Sequence, residues 1–270
     1  MRFTMLMLGA AAIVATSANA TDWTGFSGTV TGGYNYSDVK GASNHAYDFG
    51  GAANYAFPDL NMYGARLNVQ GYADYSENRS KSIPVDTWAS GGALTLRDYN
   101  YALGFAGGYN SSRALGVNAG YGNYGLIGEF YAMPDLTLRL RGGGISGNVG
   151  PLGGDGGYYG GGASYYVTPN LALNADASYS TVSSLHWSNF EIGPEYLISN
   201  ELPVSVSAAY TQSNINALGR SLNSSGFMVR LAWHLGEGNS LVEYDRNGPL
   251  NLRNPQLPVN GLTSIAFQPK

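Results

Sequence analysis
Apolar and aromatic residues stand at every second position in twelve short stretches of the chain, with small or polar residues between them. Side chains alternate across a strand, so each stretch predicts a β-strand with one oily face. The oily faces carry Phe26, Val30 and Tyr34; Tyr47, Phe49 and Tyr55; Tyr63, Leu67, Val69 and Tyr75; Trp88, Leu94 and Leu96; Tyr101, Leu103, Phe105 and Tyr109; Tyr124, Leu126 and Phe130. They continue with Leu136, Leu138 and Leu140; Tyr159, Ala163, Tyr165 and Val167; Leu171, Leu173, Ala175 and Tyr179; Phe190, Ile192 and Tyr196; Val204, Val206 and Tyr210; Phe227, Val229, Leu231 and Trp233. Rings fall near strand ends and Leu, Val, Ala and Gly in the middles, the distribution of two aromatic girdles around an apolar band.

Turn chemistry sets the strand count. Clusters at Phe57-Pro58-Asp59, Asp98-Tyr99-Asn100, Met133-Pro134-Asp135, Thr168-Pro169-Asn170 and Ser199-Asn200-Glu201 lie 32 to 41 residues apart. Each interval holds two strands of about 11 residues and a loop at the opposite end. Five tight turns separate six strand pairs, which predicts an all-β, transmembrane, antiparallel up-and-down β-barrel of about twelve strands with short periplasmic turns.

The face opposite the rings decides between a membrane barrel and a soluble one. A soluble sandwich or lipocalin-like barrel also alternates, but it packs its apolar face inward. Here the other face carries Asn68, Gln70, Asp74, Arg139, Arg141, Asn174, Asp176, Glu191 and Arg230, which are poor core residues. The pattern therefore places lipid outside and water inside.

The start of the chain fits that compartment. Arg2, the apolar run Met5 to Val14 and Ala18-Asn19-Ala20 have the form of an export leader, expected over residues 1–20 with maturation at Thr21. The apolar run is too short for a spanning helix, which needs about 20 residues, and no later segment reaches that length. The expected division is leader 1–20, barrel 21–236 and an irregular, periplasmic tail 237–270 rich in Pro.

Composition narrows the class. The chain has 39 Gly, 21 Tyr, 12% charged residues and no Cys, so an exported fold must close through backbone hydrogen bonds without disulfides. Its formal charge of −4 becomes −5 once Arg2 leaves with the leader, which excludes the basic footprint of a nucleic-acid binder.

The runs Leu94 to Tyr109, Glu129 to Gly142, Ala163 to Asn174 and Phe227 to Gly236 resemble the porin-like outer-membrane β-barrel proteins of Gram-negative bacteria. The resemblance is one of pattern across most of the mature chain and contains no invariant catalytic signature. It implies a multi-pass barrel of the cell outer membrane, surrounded by lipid and lipopolysaccharide, that is a channel or an uncharacterised barrel, and it implies no particular substrate. Such barrels often end on Phe, whereas here the last strand ends near Leu235. Ser224, Gly226, Val229 and Leu231 still resemble the signal read by the barrel assembly machinery. The pattern leaves oligomeric state open, since no strand shows the flat, ungirdled face of a trimer interface.

Function is expected in the lumen. Parity points Arg66, Arg97, Arg139, Arg141, Arg230, Asp48, Asp74, Glu129, Asp176, Glu191 and Glu195 inward. Hairpin geometry sets Glu129 opposite Arg139 and Glu191 beside Ala209, with Ala209 in turn beside Arg230; Glu191 and Arg230 would lie roughly 10 Å apart across a small residue. The candidate pore-lining set is Arg66, Asp74, Glu129, Arg139, Arg141, Asp176, Glu191, Glu195 and Arg230. Opposed charges either select small polar solutes or satisfy one another as ion pairs. Small inward residues, Gly104, Ala106, Gly160, Gly162, Ser164, Ser205 and Ser207, favour an open but narrow bore. The longest outer connection is expected at Ser213 to Ser224, and the tail is the one sizeable candidate plug.

This predicts a passive, cofactor-free channel for ions and small hydrophilic solutes. Two alternatives stand beside it. His186-Trp187-Ser188-Asn189 resembles the His-x-Ser-Asn run of outer-membrane phospholipases and lipid A deacylases, so a lipid-modifying hydrolase would use His186 and Ser188. A non-conducting barrel for display or anchoring is the other. His45 and His234 show no metal-ligand spacing, and the Gly142 and Gly153 runs lack the Lys-Ser/Thr ending of a phosphate loop.

Overall fold
The structure is a computed structural model and describes residues 25–39, 42–62, 64–80, 83–114, 117–149, 152–199, 201–217 and 220–252. The leader, Tyr63, Asn200 and the tail beyond Leu252 lie outside the described residues. Twelve antiparallel strands follow one another around a closed barrel: β1 Gly25–Val39, β2 Ala42–Met62, β3 Ala65–Ser80, β4 Ile83–Arg97, β5 Tyr101–Ala114, β6 Val117–Met133, β7 Leu136–Val149, β8 Leu152–Thr168, β9 Leu171–Val182, β10 Leu185–Leu197, β11 Val204–Ala217 and β12 Arg220–Leu235. Closure comes from β1 on β12, in register from Gly28 opposite Leu235 to Asp38 opposite Ser225. Every backbone edge is thereby paired, as a bilayer requires.

The end bearing both barrel termini, called the near end, also carries five links between strands. Three fall on the expected Asp98, Pro134 and Pro169 turns, and a fourth spans residues 198–203. The turn expected at Pro58 is instead a bulge within β2, where the register shifts between Ala56 and Asn61; the chain reverses after Met62. Pro58 supplies no backbone N–H to a ladder, and a bulge tolerates that loss.

The oily faces lie outward. Val30, Phe49, Val69, Leu94, Leu103, Phe105, Leu126, Leu140, Leu173, Ile192 and Leu231 are exposed, Leu140 by 73%. Rings bound this belt above and below: Tyr47, Trp88, Tyr109, Tyr124, Tyr159, Tyr179, Phe190, Tyr210 and Phe227 on the far side, Tyr55, Phe130, Tyr165, Tyr196 and Trp233 on the near side. On a given strand the two girdles are six to eight positions apart, as from Phe190 to Tyr196 and from Tyr47 to Tyr55. At about 3.4 Å per residue that is roughly 20–27 Å along a tilted strand, the scale of an apolar band.

Strands of 12 to 21 residues exceed the 9–11 that span a bilayer. The surplus projects beyond the far girdle, and the Gly-, Ser- and Asn-rich stretches expected as loops are strand. The predicted outer loop at Ser213 to Ser224 belongs to β11 and β12, which are joined by two residues.

Within this projecting collar the amphipathicity reverses. Outward positions become polar, with Glu77, Arg79, Asp86, Arg113, Asp155, His186, Gln212 and Asn216. Inward, large apolar side chains enter the bore: Val85, Tyr121, Ile145, Val182, Leu185, Trp187, Ile215 and Leu222 are each at most 3% exposed, interspersed with buried Asn44, Asn110, Ser112 and Ser180. Tyr121 of β6 and Trp187 of β10 meet across the bore at 6.2 Å between ring centroids. Above the membrane belt the barrel thus turns toward the pattern of a soluble protein, with polar side chains outside and a packed, mixed interior within.

Candidate functional site: a charged chamber between two closures
Below the collar the bore opens into a chamber of about 480 Å³. It is bordered by Asp74, Glu129, Arg139, Arg141, Asp176, Glu191, Glu195 and Arg230 from the predicted set, and additionally by Asp48, His234 and Asp245. Arg66 does not border it; that residue stands opposite Arg97 at the near mouth.

Register organises the charges into rows. Glu129, Arg139, Gly162, Asp176 and Glu191 are successive partners across β6 to β10. Asp48, Gly33, Arg230, Ser207 and Glu195 form a second row across β2, β1, β12, β11 and β10. Glu129 therefore faces Arg139 as expected. The expected Glu191 and Arg230 relation is corrected: Glu191 pairs with Thr211, and the acid two strands from Arg230 is Glu195, across Ser207. The long 198–203 link moves the hairpin centre by one residue, and pairing slides by two while parity is kept.

Arg141 reaches over β8 to make a two-pronged contact with Asp176, Nη2 to Oδ1 at 2.5 Å and Nη1 to Oδ2 at 3.1 Å. Arg139 donates to Ser164 Oγ at 2.8 Å. Ser164 donates to Asn174, whose Nδ2 donates to Glu195 Oε2 at 3.0 Å. Ser205 Oγ donates to the other Glu195 oxygen at 2.7 Å and lies 3.0 Å from His234 Nε2. With its proton committed to Glu195, Ser205 accepts from His234, which selects the imidazole tautomer protonated at Nε2. The network ties β7 to β12 around one side of the chamber.

The small inward residues play a different part from the one expected. A Cβ on Gly160 would lie 3.1 Å from Arg141 Nε, and one on Gly162 would lie 2.8 Å from Asp176 Oδ2. A Cβ on Gly50 would collide with Asp74. These glycines seat the charged stems flat against the wall, and Ser164 and Ser205 serve as hydrogen-bond relays. Side chains spread along the wall keep the centre of the chamber hollow.

The near mouth is covered by the tail. Gly236, at φ +107°, turns the chain under the barrel, a conformation that favours glycine. Where an irregular segment was expected, Leu241–Asn247 forms a short helix, α1. Ser240 caps it by accepting from Glu243 N at 3.3 Å, and Glu243 accepts from Asn239 N at 2.7 Å. Leu241 and Tyr244 pack with Tyr166, Ala172 and Leu197, and His234 stacks on the Tyr244 ring at 5.0 Å.

Polar contacts fasten the tail around the rim. Ser27 donates to Asn247 O at 3.0 Å, Arg97 to Gly248 O at 2.9 Å and Tyr166 to Asp245 Oδ2 at 2.6 Å. Gln70 exchanges two bonds with the Leu250 backbone at 2.7 and 2.8 Å. Arg246 bonds Met133 O at 2.8 Å and lies over the Tyr131 ring. Asp245 and residues 249–252 form the chamber floor. Burial raises the Asp245 carboxyl above its ordinary range, against the opposing pull of the Tyr166 hydroxyl, Arg139 and Arg246. Sequence reasoning marked the tail as a candidate plug but gave no partner for it; Tyr166, Gln70 and Arg97 carry no pattern that would announce one.

His186 and Ser188 share the outer face of the collar. The His186 Nδ1 partner is the Tyr179 hydroxyl at 3.3 Å, with the two rings stacked, and Ser188 stands opposite Tyr179 and Asn214 in register. Among the described residues, no group of three or more His, Asp or Glu is placed to hold a metal ion.

An apolar belt outside, a charged chamber inside and a closed antiparallel wall define a transmembrane β-barrel of the outer-membrane type. No protein-family model and no curated protein matches the sequence. Among solved structures the barrel is similar to an outer membrane channel from Pseudomonas putida, with a TM-score of 0.54 and 10% identity over 81% of this chain and 100% of that one. It also matches a KdgM porin at a TM-score of 0.47 and 10% identity, over 77% of this chain and 100% of that one. At such identity the likeness is one of architecture: the chain has the fold of a multi-pass outer-membrane β-barrel.

Proposed function
We propose that the protein is a porin-like channel for passive diffusion of ions and small hydrophilic solutes, with its near end toward the periplasm. The observation that supports this reading is the charged, hollow chamber inside the membrane belt. Seven carboxyl groups and three guanidiniums border it, more acids than a purely structural set of one-to-one ion pairs would use. Taking such groups out of water costs several kcal/mol each, and a barrel serving only as a support is more stable with small apolar filling. Asp74, Glu129, Arg139, Arg141, Asp176, Glu191, Glu195 and Arg230 would line the path, and Arg66 its inner entrance. The belt would contact lipid and lipopolysaccharide, and β12 would present the signal read by the assembly machinery.

The packed collar and docked tail favour a second reading, a non-conducting barrel. Planar-bilayer recording of refolded full-length mature protein separates the two. Discrete conductance steps that change in Arg141→Ala and Arg230→Ala support the channel. Silence both in the mature chain and in variants that loosen either closure, with barrel circular dichroism intact, refutes it. Phospholipid cleavage lost in Ser188→Ala would instead support the hydrolase.

A further inference from the structure
We propose that the docked tail is a displaceable gate, an autoinhibitory contact that closes the near mouth and must swing out for solute to pass. The inference rests on the channel reading. Three features of the contact point to a movable part instead of a permanent floor.

First, the tail spans the opening. Its polar contacts fall on β1, β3, β4, β8 and the end of β6, its helix packs against β9 and β10, and its residues 249–252 face the chamber directly. A solute leaving the chamber toward the near end meets this segment.

Second, what holds the tail is exchangeable with water. Ser27, Arg97 and Gln70 bind its backbone, and each of these side chains is satisfied equally by solvent once the tail leaves. Apolar anchorage comes from Leu241, Tyr244 and Leu250, with Val242 packed beside the helix cluster and Tyr244 stacked on His234. A seven-residue helix is too short to persist alone, so docking and helix formation are one event.

Third, the contact carries internal opposition. Asp245 enters a floor shared with Glu129 and Glu195, so ionisation of the docked Asp245 sets it against both, with Arg139 and Arg246 offsetting the repulsion. A segment selected only to seal the barrel would not bring a third carboxylate to that place. Gly236 supplies the pivot directly after β12.

The absence of cysteine makes the movement directly readable. Leu250→Cys in the full-length protein reports docking through its rate of labelling by a membrane-impermeant thiol reagent, with Asn239→Cys as the exposed reference. Leu241→Asp with Tyr244→Asp undocks the tail while leaving every strand intact. We expect Leu250→Cys to label at least tenfold more slowly than the reference, the double Asp variant to abolish that protection, and conductance to rise several-fold in parallel. Equal labelling of both cysteines in the otherwise native chain overturns the docked closure. Exposure of Leu250→Cys with an unchanged conductance overturns gating and leaves the channel reading standing. Silence of the undocked protein overturns gating, and silence that persists when Trp187→Ala also loosens the collar overturns both.

Discussion

Trp187 tests the reversal of faces within the collar. Its side chain is 1% exposed and touches the Tyr121 ring across the bore, whereas an ordinary porin lumen at that level would hold water. Truncating a packed aromatic to Ala costs about 3–5 kcal/mol through lost burial and the cavity left behind. One contribution opposes this. Trp187 Nε1 is buried without a hydrogen-bond partner, and removing an orphaned donor returns about 1–3 kcal/mol. The net expectation for Trp187→Ala is a loss of about 2 kcal/mol. Trp187→Phe keeps most of the ring and discards the orphan, so it should be close to neutral. Urea unfolding in lipid vesicles, followed by far-ultraviolet circular dichroism, measures both. The reasoning fails if Trp187→Ala costs no more than His186→Ala, its neighbour on the wet side of the same strand. Because Trp187 and Tyr121 narrow the bore, Trp187→Ala should also raise single-channel conductance, and a lower conductance would contradict the placement.

Three further expectations follow from the chamber and tail. Asp176→Ala strands the Arg141 guanidinium, whose side chain is only 8% exposed, and should destabilise the barrel by about 3–5 kcal/mol in the same unfolding assay; Arg141→Met with Asp176→Leu should recover much of it. Gly162→Ala places a methyl 2.7 Å from Ala175 O and 2.8 Å from Asp176 Oδ2, so a loss of about 1–3 kcal/mol is expected, and a neutral result would show that the seat is unnecessary. Since burial raises the Asp245 carboxyl on docking, the docked tail favours the protonated acid. Its contribution is complete below the carboxyl's ordinary value and is lost as pH rises through the raised one. Conductance should therefore increase with pH across that window. Facing Asp245 are Tyr166, Arg139, Arg246, Glu129 and Glu195, so the isolating control is Asp245→Asn, which should flatten the dependence.

The membrane-spanning architecture was legible because two local signals agreed. Asp98, Pro134 and Pro169 mark real chain reversals, and the Leu, Val and ring positions between them keep parity without a break. The collar was hidden by composition: the run Ser213 to Ser224 read as an outer connection, because serine and asparagine favour turns when judged alone. Carrying strand parity through such stretches would have exposed the reversal, since Tyr121, Ile145, Trp187 and Leu222 occupy the inward parity of Glu129, Arg141, Glu191 and Arg230. Chamber membership followed from parity, but partner identity did not. Glu191 and Glu195 differ only in register, which the 198–203 link sets, and a two-residue slide leaves the hydrophobic pattern unchanged. The use of Gly160 and Gly162 as seats for Arg141 and Arg139 depends on side-chain direction, which alternation does not encode.

Barrel closure and tail docking are coupled through the order of synthesis. Ser27 on the first strand, Gln70 and Arg97 farther round the wall, and Tyr166 opposite them converge on one short segment that follows the final strand. Those donors come together only when the first and last strands have zipped. A half-inserted intermediate offers the segment no complete receptor, so its capture marks the completed cylinder, and a maturing molecule remains uncorked until its seam is shut.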